Sequence, residues 1–244
     1  MDFGRKDELP IPPYILGIWL GDGTSAFAGL TSMDDEIIQE WVSYGKDLGL
    51  DISVLESTNK GRAKTYNFVI PENFIKENED SGHYKNKFNL MLANLSIKNN
   101  KHIPEVYKNS STKSRLELLA GLIDTDGSLG RGCFDFVNKR ENLVTDMVRV
   151  IRSLGLSSYI SECEKSCITR EGKFTGKYYR IGICGNINRI PTKTPRKQAS
   201  ERIQPKSVLV SHIDVIESEP QIFFTFILDK PTFGLLNDFT VVKI

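Results

Sequence analysis

The chain places apolar runs and polar turns in an order that occurs twice. Residues 14–25 read YILGIWLGDGTS and residues 118–129 read LLAGLIDTDGSL. Each run is apolar on nearly every face, contains a small residue and closes on Asp-Gly. Gly17 aligns with Gly121, Asp22 with Asp126 and Gly23 with Gly127. A helix that is apolar all round is a buried one, so 15–23 and 119–127 are predicted as two buried helices packed side by side. Gly17, Ala120 and Gly121 supply the small residues that a close backbone approach requires. Gly23 and Gly127 are expected to turn the chain out of each helix.

The repeat continues in order. DDEIIQEWVSYGKDLGL (34–50) carries Ile37, Ile38, Trp41, Leu48 and Leu50 at amphipathic-helix spacing. ENLVTDMVRVIRSLGL (141–156) carries Leu143, Met147, Val150, Ile151 and Leu154 in the same role. Both end in Leu-Gly-Leu, where Gly49 and Gly155 suit a left-handed C-terminal position. Strand-like runs follow, at 51–57 and 157–164. Then come turns rich in Gly and basic residues, 59–64 and 169–177, and returning strands at 65–70 and 178–184. Each half later carries an Ile-Pro, in KHIP (101–104) and RIPTK (189–193). Each half thus reads helix, short strands, helix, hairpin. The expected fold is α+β: a first half over 10–117, a second over 118–207, and a strand-rich tail over 208–244.

Composition narrows the picture. The 39% apolar fraction supports a proper core. No apolar run reaches the roughly 18 residues of a membrane span, and the first residues lack the apolar stretch of a secretory signal. Cys133, Cys163, Cys167 and Cys184 match no disulfide framework by spacing, so a reduced, intracellular setting is expected, the nucleus in a eukaryote. Net charge is +1 and silent about partners. Yet 189–206 holds Arg189, Lys193, Arg196, Lys197, Arg202 and Lys206 against Glu201 alone. Such a stripe suits phosphate or a solvated loop equally well.

Two carboxylates at adjoining helix C-termini repel each other and meet the partial negative charge of those termini. A cation resolves the conflict, and oxygen-only donors point to Mg²⁺ held by carboxylates and substrate phosphate. Metal ions so placed suit phosphodiester hydrolysis.

LLAGLIDTDG is similar to the sequence that names the LAGLIDADG homing endonucleases, and YILGIWLGDG resembles the first motif of their two-motif, single-chain members. KHIP and IPTKTPRKQ look most like the fungal, intein-derived branch, with the yeast vacuolar-ATPase intein endonuclease among its members. The resemblance spans about residues 10–206. It implies two pseudo-symmetric αββαββα-type halves, the motif helices paired between them and the sheets forming a saddle over the DNA major groove. It implies a monomeric, Mg²⁺-dependent endonuclease, with Mn²⁺ as a substitute, that breaks both strands of a long site and leaves 3′ overhangs. Asp22 and Asp126 match the catalytic, metal-binding aspartates, with Gly21 and Thr125 beside them as further metal contacts. Lys101 matches an assisting lysine, and its second-half counterpart is expected to be Lys193, with Lys197 as the alternative. Candidate DNA contacts are Lys60, Arg62 and Lys64 in the first half. Those in the second are Lys139, Arg140, Arg170, Lys173, Lys177, Arg180 and Lys197. The tail resembles the C-terminal part of an intein splicing domain but ends Lys243-Ile244 rather than His-Asn. Two rival functions stay open: a maturase-like protein that only grips nucleic acid, and a decayed intein remnant.

Overall fold

In the computed structural model the described residues are 3, 8–56, 61–72, 86–169, 172–201, 203–204, 207–210, 214–222 and 233–243. The chain is α+β with antiparallel sheets. In the first half, α1 (Pro13–Asp22) leads through β1 (Gly29–Ser32) to α2 (Asp35–Asp47), then β2 (Asp51–Leu55) and β3 (Lys64–Val69). α3 (Lys87–Asn94) and the one-turn α4 (Glu105–Lys108) follow. In the second half, α5 (Thr112–Asp126) leads through β4 (Gly127–Gly130) and β5 (Cys133–Asn138) to α6 (Glu141–Ser153), then β6 (Ser157–Thr169) and β7 (Gly172–Cys184).

The sheets match across the repeat. The second orders as β4-β5-β7-β6 and the first as β1-β3-β2. An isolated bridge between Gly23 and Leu30 stands where β4 meets β5 in the other half. β6 and β7 run on as a ribbon of 13 residues a side, well past the predicted 157–164 and 178–184. The tail contributes a two-stranded sheet, β8 (Phe233–Leu235) with β9 (Val241–Lys243).

The amphipathic helices cover the inner faces of the sheets. In α2, Ile37 and Trp41 are fully buried; Trp41 stacks on Phe68 of β3 at 4.1 Å and meets Phe88 of α3 edge-on at 5.2 Å. In α6, Leu143, Met147, Val150 and Ile151 are buried with Phe134, Phe136, Ile181 and Ile183 of the sheet. Gly49 and Gly155 take φ of +71° and +75°, as the helix-ending spacing predicts.

α5 begins earlier than its apolar run. Ser111 caps it, its hydroxyl accepting from the Ser114 N–H. α1 and α5 are buried along most of their length and pack on each other. Gly23 and Gly127 end the two helices as expected, but in extended rather than left-handed conformation, φ −71° and −86°. Their small size answers crowding instead, since a Cβ on Gly23 would stand 2.3 Å from the Trp19 carbonyl oxygen.

One expectation, that the cysteine spacing holds no disulfide, is overturned. Cys133 and Cys184 form a disulfide, with Cα atoms 4.8 Å apart. They flank the β5–β7 ladder as cross-strand neighbours, next to the Phe134–Ile183 pair. Their sequence separation of 51 hides that adjacency from any reading of spacing.

Candidate active site

Asp22 and Asp126 are the last residues of α1 and α5. The crossing of these helices brings the two carboxylates within electrostatic reach of each other. Burial, reinforced by the charge of Asp126, pushes the Asp22 carboxyl up to about 6. Burial also raises Asp126, opposed by the Asn138 side-chain amide, which donates to Asp126 Oδ2 at 3.1 Å. Among the described residues neither carboxylate forms an ion pair.

Two buried lysines close the site from either side. Lys101 is 3% exposed, and its ammonium donates to the carbonyls of Gly21 (3.2 Å) and Gly23 (2.6 Å) at the end of α1. Lys197 is 5% exposed, and its ammonium donates to the carbonyls of Ile123 (2.9 Å), Asp124 (2.6 Å) and Thr125 (3.0 Å) at the end of α5. Each cation thus satisfies helix-terminal carbonyls and offsets their partial charge. Burial lowers both lysines, Lys101 to about 7.

The structure therefore gives the place that mirrors Lys101 to Lys197, not to Lys193. Lys193 points outward instead, pairing with Glu40 of α2 and lying 4.5 Å from the centre of the Tyr14 ring. Being buried, Lys197 also does not stand on the surface as a DNA contact. A short 3-10 turn at Pro195–Lys197 carries it back beneath α5. Sequence spacing did not mark Asp124, which is fully buried and anchors the approach to that turn. Its carboxylate accepts from the backbone N–H of Lys193 (2.7 Å) and of Thr194 (3.3 Å) and from the Tyr14 hydroxyl (2.8 Å). The Asp of the IDTDG run was visible; its partners were not.

The two carboxylates, both raised by burial, are the donors that fit a hard divalent cation; the backbone carbonyls of Gly21 and Thr125, expected beside them as metal contacts, are not open to it. Those carbonyls are engaged by Lys101 and Lys197. Among the described residues no cluster of three or more His, Cys, Asp or Glu forms a closed metal cage.

The sheet faces sort the remaining candidates. Strand residues alternate sides, so Arg180 faces away from buried Ile181 and Ile183, level with its register partners Val137 and Ser161. It pairs with Asp135 at 3.5 Å. Lys165 and Tyr178 share that outer face. On the first half the outer face shows Thr31, Ser53, Thr65 and Asn67, with the Thr31 and Thr65 hydroxyls 2.8 Å apart. Basic turns announced themselves in the sequence, whereas these neutral face residues did not. Lys177 takes the helix-side alternation and pairs with Glu162 at 2.6 Å. Lys64 likewise pairs with Glu56 at 2.7 Å. Arg62 and Lys173 are exposed. Lys139 lies 5.9 Å from the Phe174 ring centre, and Arg140 donates to the Ser25 hydroxyl of the other half at 3.0 Å. Lys60 and Arg170 lie outside the described residues.

Comparison with known proteins gives three findings. A family model described as Homing endonuclease matches residues 102–201, which hold the second motif helix, its sheet and Lys197. A replicative DNA helicase DnaB of Mycobacterium intracellulare is 34% identical over 149 residues, 61% of this chain. The match covers 20% of that helicase, so the chain spans about a fifth of the relative's length. Among solved structures, mesophilic variants of the homing endonuclease I-DmoI align over 72% of this chain and 83% of theirs, with 14% identity and a TM-score of 0.45. I-DmoI in complex with DNA and Mn aligns over 80% and 98%, with 14% identity and a TM-score of 0.44.

Proposed function

We propose that this protein is a site-specific DNA endonuclease of the LAGLIDADG type. It makes a divalent-metal-dependent double-strand break at a long recognition site, leaving 3′ overhangs. The observation that carries the reading is the doubled constellation at the helix crossing: Asp22 with Lys101, Asp126 with Lys197, each pair at the end of one motif helix. The family-model match over 102–201 supports it independently.

Asp22 and Asp126 would hold Mg²⁺, or Mn²⁺ in its stead, which supplies Lewis acidity and a more acidic water. The chain's own residues supply the rest. The buried lysines place positive charge where a phosphodiester gains negative charge during hydrolysis. Lys101, with its acidity near neutrality, is suited to exchange a proton with a nearby water. One Asp–Lys pair per strand accounts for a double-strand break from one monomeric chain.

The outer sheet faces are the DNA surface. A two-stranded ribbon enters a major groove, and the β6–β7 ribbon has that form. On this reading Arg180, Lys165 and Asn67 would meet base edges; Arg62, Lys139 and Lys173 would meet phosphate, which positions without specifying. The match to one stretch of a helicase fits an origin as an intein-borne insertion in a host gene; the fungal branch rests on KHIP and IPTKTPRKQ alone. The protein would act inside the cell where DNA resides, which is the nucleus if the host is a eukaryote.

The test is cleavage of a genomic plasmid pool with Mg²⁺ against an EDTA control, with ends mapped by sequencing. Discrete, metal-dependent ends with 3′ overhangs are expected. Salt-sensitive binding without any cleavage would replace the nuclease by a nucleic-acid-binding protein.

A further inference from the structure

Each active-site lysine is carried by a segment that the opposite half holds. Lys101 belongs to the first half, yet the segment after it is fastened to α6 of the second. Asp146 accepts the Ile103 backbone N–H at 3.0 Å and the Lys108 ammonium at 2.7 Å. Lys197 belongs to the second half, yet the segment before it is fastened to α2 of the first. Glu40 pairs with Lys193, and the Asp34 carboxylate accepts from Arg196 Nη1 and Nη2 at 2.5 and 2.7 Å. Glu40 and Asp146 are equivalent in the repeat, each lying eight residues before the first Leu of Leu-Gly-Leu.

We infer that Asp146 and Glu40 are reciprocal positioning residues: Asp146 sets Lys101, and Glu40 with Asp34 sets Lys197, so that each strand's chemistry is held in register by the other half. The inference rests on the nuclease reading for its consequence, but not for its geometry. An anchored backbone N–H two residues from Lys101 fixes where its chain enters the site. The two clamps differ in kind. Asp146 holds a main-chain N–H as well as a side chain, whereas Glu40 and Asp34 hold side chains only. The main-chain hold on the Lys197 segment comes instead from Asp124 of its own half. Loss of Asp146 is therefore the more damaging of the two.

Asp146→Ala, Asp146→Glu and the double variant Asp34→Ala/Glu40→Ala test this by two readouts. In the first, the full chain is exposed to an amine-acylating reagent and lysine labelling is followed by peptide mapping. Lys101 should label roughly tenfold faster in Asp146→Ala, in keeping with loss of a charge-assisted hydrogen bond. Lys197 should be unchanged there, and Asp146→Glu should return Lys101 toward the wild-type rate. The double variant should free Lys197 and spare Lys101. In the second, supercoiled target plasmid is cut and each nick assigned to its strand. Asp146→Ala should slow one strand by roughly tenfold or more relative to the other, and the double variant should show a smaller bias of opposite sense.

Equal slowing of both strands, or labelling that rises at both lysines together, would mark Asp146 as a general stability residue and overturn the inference. Unchanged Lys101 labelling in Asp146→Ala would overturn it as well. A wild-type chain that cuts nothing defeats the nuclease reading, and the labelling arm still judges the anchoring.

Discussion

Gly17 and Gly121 pack backbone against backbone where α1 crosses α5, leaving no room for a methyl group. A Cβ on Gly17 would stand 2.4 Å from the Leu118 carbonyl oxygen and 3.0 Å from Gly121 Cα. A Cβ on Gly121 would stand 2.4 Å from the Tyr14 carbonyl oxygen. The neighbouring atoms are main chain and cannot rotate away. In an open helix Gly→Ala gains up to about 1 kcal/mol in propensity. Here overpacking reverses the sign, and Gly121→Ala should cost on the order of 1–3 kcal/mol. Urea unfolding measures it; a neutral or stabilised variant would show the helices to be farther apart.

Asp22 is kept at a cost to the metal-free fold. Its carboxyl is raised to about 6, chiefly by burial and then by Asp126, while the unfolded chain titrates near the ordinary value of 3.8. Between those values the native state binds more protons, so this group makes stability fall as pH rises through that window. Above about 6 the penalty is complete. Asp22→Asn should therefore stabilise the protein at pH 7 without divalent cations, by roughly 1–3 kcal/mol, and confer little below pH 4. A midpoint shift equal at pH 4 and pH 7 would defeat the electrostatic account. Added Mg²⁺ should reverse the ranking by stabilising the wild type alone.

The Cys133–Cys184 link ties β5 to β7 at the end of the second sheet and closes a long loop containing all of α6 and β6. Closing a loop of about 50 residues constrains the unfolded chain by roughly 4 kcal/mol in the chain-entropy view. Reduction, or Cys133→Ser/Cys184→Ser, should lower Tm accordingly, and Cys163→Ser should not. Peptide mapping of the oxidised protein that finds a different pair would remove this bridge.

What the sequence disclosed and what it hid follow from the range of the interactions. The motif helices, their glycines and both aspartates were legible because local periodicity and an ordered repeat write them down. Asp22 and Asp126 sit at helix ends that any apolar run closed by Asp-Gly would foretell. Lys197 was harder to place. Its segment differs in length from the one holding Lys101, and the turn at Pro195–Lys197, rather than the distance from Ile-Pro, decides which lysine returns to the helix end. The cysteine pairing was hidden because β5 and β7 become neighbours only in the sheet. Arg180 was visible as a charge, but its face depends on alternation counted from Ile181.

The exchange of Lys193 for Lys197 has a direct kinetic consequence. Lys197 satisfies three carbonyls at the end of α5, as Lys101 satisfies two at the end of α1, whereas Lys193 meets Glu40 at the surface of α2. On the nuclease reading, Lys101→Met and Lys197→Met should each reduce double-strand cleavage by about a hundredfold, the scale of a lost proton-transfer or charge-stabilising group. Lys193→Met should fall short of that by an order of magnitude, because Asp124 still holds the Lys193 and Thr194 main chain. Single-turnover cleavage with saturating enzyme separates these losses from weaker binding. A Lys193→Met defect as deep as that of Lys197→Met would return the catalytic role to the outward lysine.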